Sequence, residues 1–142
     1  MAKKKISSSS PWESMFGYSR AIRAGNTVYV AGTTGTDTEG NPIGSGPYDQ
    51  TKAALSKIHA ALGEAGATLR DVVCVRAYVR NIDDWPEMAR AYTEAFSRIR
   101  PALTIVEVSR LFKPKMLIEI EAVAVMPGRS VRSSFLTCNS VM

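Results

Sequence analysis

The stretch "KMLIEIEAVAV", residues 115–125, sets Glu119 and Glu121 into a run that otherwise has the pattern of a buried strand. Two residues of strand rise put their carboxylates about 7 Å apart on one side of that strand. Carboxylates partly removed from water and close to like charge have raised pKa values, which suits them to proton transfer near neutral pH. The same pair also fits surface glutamates bound to Arg76, Arg80 or Lys115 across a sheet, and on periodicity alone both readings stand.

Few other residues carry obvious chemistry. His59, the sole histidine, lies at the edge of a helical apolar stripe and fits a packed or half-exposed side chain rather than a catalytic base. Cys74 and Cys138 are far apart without metal-type spacing, and Cys138 stands one residue off a prenylation box, so neither metal nor lipid is implied. The glycines of "TTGTDTEGNPIGSGP" form no phosphate-binding pattern. The formal charge of +5 resides in Lys3, Lys4, Lys5, Arg129 and Arg132; without them, 13 basic residues face 13 acidic ones. A neutral body with no basic stripe argues against a nucleic-acid partner. With no run resembling a membrane span and no apolar leader at the lysine-rich start, the expected location is cytoplasmic, without membrane attachment.

The elements that must position the glutamates follow from local pattern. Residues 1–11 have the composition of a disordered tail, residues 12–127 of one domain, and residues 128–142 of a C-terminal extension anchored only by Phe135 and Leu136. Tyr18 to Arg23 and Thr27 to Ala31 are expected to pair as a hairpin about Ala24-Gly25-Asn26. Apolar positions Ala54, Leu55, Ile58, Ala61, Leu62 and Ala65 after Pro47 predict a helix stopped at Gly66. "DVVCVRAYVR" predicts a strand, and Asp84 with Glu87 a capping box opening a second helix whose buried stripe is Met88, Tyr92, Ala95, Phe96 and Ile99. Two more strands follow Pro101. Five strands and two helices predict an α/β chain of the α+β type, a mixed sheet with both helices on one face.

In the last strand, alternation assigns Met116, Ile118, Ile120, Ala122, Ala124 and Met126 to the helix-packed core. Leu117, Glu119, Glu121, Val123 and Val125 take the other face, and Leu103, Ile105 and Glu107 share one face of the preceding strand. A half-apolar open face is a patch that soluble monomers rarely keep, so a second subunit is expected to cover it.

"RPALTIVEVSRL" followed by "IEIEAVAV" resembles the C-terminal signature of the Rid family (RidA/YjgF/YER057c/UK114), reactive-intermediate imine deaminases. "FGYSRAIRAGNTVYVAGTTG", "ALGEAGATLRDVVCVRAYV" and "YTEAFSRIRP" extend the resemblance over most of the chain. It implies a chorismate mutase-like subunit in a homotrimeric barrel with sites between subunits. It further implies hydrolysis of small-molecule enamines or imines to keto compounds and ammonia, without cofactor or metal. Matched position by position, Tyr18 is the site tyrosine, Gly32 the loop glycine, Glu119 the acid/base glutamate, and Ile105 the position whose backbone helps to hold water. The backbone of Gly32 and Thr33 would orient the ligand.

Leu103 stands where the well-studied deaminases have an arginine, Ala31 replaces a common serine, and Arg90 a usual asparagine. A leucine cannot hold a carboxylate, so Leu103 and Ile105 would form an apolar wall and the expected substrate is atypical; Arg90 fits equally an anion-binding cation from another direction and a solvated helix arginine paired with Glu87 or Glu94. Alternatives within the same resemblance are a proton-transfer isomerase or cyclase acting through Glu119, and a ligand-binding trimer without turnover. The ribonuclease activity attached to some relatives is disfavoured by the neutral body and single histidine.

Overall fold

The computed structural model describes residues 2–128. Among these residues six strands form one sheet: β1 (Lys3–Ile6), β2 (Ala21–Ala24), β3 (Thr27–Thr34), β4 (Val72–Val79), β5 (Ala102–Glu107) and β6 (Ile118–Val125). Three α-helices accompany them, α1 (Trp12–Phe16), α2 (Pro47–Glu64) and α3 (Trp85–Phe96). The strand order is β1-β2-β3-β6-β4-β5, antiparallel throughout except for the parallel pair β4 and β5. β3 and β4 both run antiparallel to β6, hence parallel to each other, so α2 and α3 are each crossovers between parallel strands. Such connections keep one hand and place both helices on the same face.

That face holds the core expected from the pattern. Ile58 and Leu62 of α2 pack among Val28, Val75, Val79 and Ile120, all fully buried. Each such side chain contributes about 1.5–3 kcal/mol of burial free energy. β6 alternates as its sequence dictates, with Ile118, Ile120, Ala122 and Ala124 buried and Glu119, Glu121 and Val123 half-buried on the far side. The open face also exposes Tyr29 and Val125 at 54% and 46% of their surface. Among the described residues no helix is long and apolar enough to cross a membrane.

Three expectations are corrected. Residues 1–11 are not a disordered tail throughout: Lys3–Ile6 pair with Ala21–Ala24, Ile6 is buried, and Lys4 donates to the Glu64 carbonyl at the end of α2. Lysines suit an edge strand because their charge discourages further pairing. The Asp84 capping box does not form, since the Asp84 side chain makes no capping hydrogen bond and Glu87 binds Arg90 instead; Thr68 and Asp71 form such a box at a short 3-10 turn. Leu103 and Ile105 lie in register with Val75 and Ala77, which puts them on the helix side of the sheet rather than with the glutamates. The C-terminal extension lies outside the described residues apart from Gly128.

Candidate active site

The site is built around an irregularity in β3. Its pairing with β6 shifts between Val30 and Thr33, so Ala31 and Gly32 together face the single residue Glu121. Such a bulge twists the strand and re-aims neighbouring groups. The buried Thr33 hydroxyl donates to the Ala31 carbonyl at 2.8 Å, so this side chain braces the bulge and does not line the cavity. Beside it the Glu119 carboxyl occupies the space a side chain at 32 would need: a Cβ on Gly32 would lie 2.5 Å from Oε1. Burial pushes the Glu119 carboxyl above its ordinary range, the charge of Arg20 draws it part of the way back, and Glu121 adds to the rise.

Glu121 has a different environment. It accepts from the Tyr78 hydroxyl at 2.8 Å and lies 3.6 Å from Arg76, the cross-sheet pairing anticipated as the alternative for both glutamates. Glu119 has no such partner among the described residues.

Glu119 forms one wall of a cavity of about 660 Å³ that Tyr18 and Gly32 also line. Tyr18 is placed by α1, which ends at Gly17 in left-handed conformation (φ +73°), its amide donating to the Glu13 carbonyl. The buried Glu13 holds the preceding segment by accepting from Ser7 and Ser8. Burial alone would raise Glu13, but hydrogen bonds from Ser8 and Ser7 and the charge of Arg20 hold it below its ordinary value.

Two cations in the cavity escaped the sequence reading. Arg20, only 8% exposed, donates through Nη2 to the Gly32 carbonyl, and its guanidinium lies 5.7 Å from the Tyr18 ring. Lys57 of α2 donates to the carbonyls of Thr34 and Thr36 at 2.9 and 3.1 Å. Burial and the nearby Arg20 push the Lys57 ammonium down, partly opposed by Asp37. Trp12, Phe16 and Phe112 form an aromatic cluster at the same cavity. The only hint in the sequence was the aromatic spacing in "PWESMFGY", which falls outside any strand or long helix.

Arg90, Leu103 and Ile105 do not line this cavity within one chain. Arg90 stacks 3.7 Å over the Tyr48 ring and lies 2.7 Å from Glu87. Leu103 and Ile105 sit part-exposed on β5, an outer strand of the sheet.

A half-buried carboxyl, a tyrosine and two cations meet in one cavity at a strand bulge, the features of a candidate small-molecule site on an α+β scaffold. The chain belongs to the endoribonuclease L-PSP family, which matches residues 8–126. It is 42% identical over 125 residues to a RutC family protein of Pyrococcus abyssi, covering 87% of this chain and 98% of that one. It is 34% identical over 110 residues to the 2-iminobutanoate/2-iminopropanoate deaminase of Dermatophagoides farinae, covering 77% and 85%. Among solved structures it resembles Rv2704 of Mycobacterium tuberculosis, a member of the YjgF/YER057c/UK114 family, with a TM-score of 0.82 and 46% identity over 88% of this chain and all of that one.

Proposed function

We propose that the chain hydrolyses reactive enamine or imine intermediates to keto compounds and ammonia, with Glu119 moving the protons and Tyr18 and the backbone about Gly32 orienting the ligand. One observation carries this reading. The Glu119 carboxyl is half-buried, raised in pKa, without a side-chain partner among the described residues, and pressed against Gly32 at the wall of a cavity. The deaminase named among its relatives supports the same class of reaction.

A carboxyl whose pKa is raised by burial holds its proton to higher pH than a free one, and in its protonated form it gives that proton to the imine nitrogen, making the carbon electrophilic. The resulting carboxylate accepts a proton from water as the oxygen adds to that carbon. It returns that proton to nitrogen, and as ammonia leaves it takes the hydroxyl proton, so the C=N bond becomes C=O. One group suffices because imines hydrolyse unaided and the acceleration required is small.

Assembly is part of the proposal. The open face exposes Tyr29 and Val125, and among the described residues β5 presents an unpaired edge whose "ALTIVE" lacks the lysines that guard β1. An apolar edge of this kind is normally covered. A homotrimer would cover both and bring Leu103 and Ile105 toward a neighbour's cavity. The test is product analysis on freshly generated imines: hydrolysis gives ammonia and a keto compound, whereas an isomerised product without ammonia would overturn the deaminase reading.

A further inference from the structure

We propose that Arg20, supported by Lys57, is the cation that holds the substrate's carboxylate, and that Trp12, Phe16 and Phe112 select a substrate with a bulky apolar side chain. This deepens the preceding reading and rests on it for the identity of the reacting group. It concerns residues that neither the sequence resemblance nor the comparisons assign.

A guanidinium buried to this degree costs several kcal/mol unless its charge is matched. Among the described residues Arg20 has no carboxylate within 4 Å. Its one side-chain hydrogen bond is to the neutral Gly32 carbonyl, its Nε is buried without a partner, and Nη1 has none among the described residues. Lys57 likewise binds only neutral carbonyls. The remaining charged groups lining the cavity are Glu119 and Asp37. Asp37 is committed to its own loop, accepting at 2.9 Å from the amides of both Glu39 and Asn41. Neither cation of the cavity therefore has a direct carboxylate partner among the described residues: Glu13 and Glu119 act on Arg20, and Asp37 on Lys57, only through space, and a ligand carboxylate supplies the charge-assisted hydrogen bonds they lack.

Gly32 fixes where that carboxylate must sit relative to the chemistry. Arg20 holds the Gly32 carbonyl and Glu119 packs against the Gly32 Cα side, so the two groups flank the same residue. In a 2-imino acid the carboxylate is bonded directly to the imine carbon. Anchored on Arg20, such a ligand presents its C=N group to Glu119.

The side chain then extends toward the aromatic cluster. Phe112 meets Trp12 edge-on at 4.7 Å and Phe16 at 5.6 Å between ring centroids, yet Phe16 and Phe112 remain 63% and 64% exposed. Aromatic surface held open at a cavity marks a place for an apolar ligand group. The substrate class is a 2-imino acid bearing an aryl or large branched side chain, in preference to two- or three-carbon acids.

Calorimetric titration of the full-length protein with phenylpyruvate, its methyl ester and pyruvate tests this directly. Wild-type protein should bind phenylpyruvate more tightly than either of the others. Arg20→Met should erase the acid's advantage over the ester, a loss of roughly ten-fold or more if a charge-assisted pair is removed. Arg20→Lys should restore part of it, and Trp12→Ala should erase the advantage over pyruvate. A merely structural Arg20 would weaken acid and ester alike, which would overturn the proposal. So would wild-type protein that binds acid and ester equally, a measurement that needs no variant to fold. The two readings fail separately. Glu119-dependent ammonia release with an unchanged KM in Arg20→Met would sink the Arg20 site and leave the deaminase, whereas Arg20-dependent binding with no imine turnover would sink the deaminase and leave the site.

Discussion

Gly32 and Glu119 share one volume: the space that any side chain at 32 would fill is occupied by the Glu119 carboxyl. The obstacle is the far end of a flexible side chain rather than backbone, so Gly32→Ala can be accommodated by turning the carboxyl away. We expect a stability change within about 1 kcal/mol but a loss of turnover of roughly ten-fold or more, because an ångström of displacement at a reacting group has that scale of effect. Thermal melts beside ammonia-release rates check the split. Equal losses in both would mean that Gly32 is needed only for folding.

The raised carboxyl of Glu119 has a consequence for stability against pH. Its folded-state pKa lies above the ordinary 4.5, so over that interval the folded chain binds more protons than the unfolded one. Stability from this group is therefore present below pH 4.5 and is lost as pH rises through the folded value. Glu119→Gln removes the loss. Urea unfolding should show the variant gaining on wild type as pH rises from acid to neutral, and a gain in the opposite direction would refute the buried, proton-holding state.

Arg20 draws the Glu119 pKa downward, so Arg20→Met should move the Glu119 titration to higher pH. Carboxyl chemical shifts followed by NMR would read it. An unmoved titration would show that the two groups do not interact.

Glu121 should be dispensable for chemistry. Its partners Arg76 and Tyr78 make it a cross-sheet structural group, and the Arg76 pair, with the arginine side chain 54% exposed, should be worth less than about 1 kcal/mol. Glu121→Gln should retain most turnover while Glu119→Gln does not; the reverse pattern would exchange their roles.

The assembled state is read by sedimentation equilibrium. Wild type should sediment at three times the 15.4 kDa chain mass. Val125→Glu, which places charge on the open face without touching the core, should lower it. A monomeric wild type would remove the reason for the exposed apolar face.

Much of the fold was legible because burial imposes period. β6 alternates strictly, and α2 and α3 carry apolar stripes that the core uses. Lys3–Ile6 was not legible, since only Ile6 is buried and the strand is held by ladder hydrogen bonds that any sequence can make. Glu119 was legible as an anomaly, an acid within an apolar run. Arg20 was hidden for a related reason: on a short strand approach it looks like an ordinary outward arginine. Its burial depends on the bulge at Ala31 and Gly32 and on the segment tied down by Glu13, both products of tertiary structure.

The central claim is that Glu119 transfers protons in imine hydrolysis, and the direct measurement is the rate of ammonia release from freshly generated 2-imino acids by wild type and by Glu119→Gln, against the buffer rate. Wild type should exceed buffer, most clearly for bulky apolar side chains, and the variant should fall to the buffer rate while remaining folded. Turnover that survives intact in Glu119→Gln, or a wild type no faster than buffer across the panel, would contradict it.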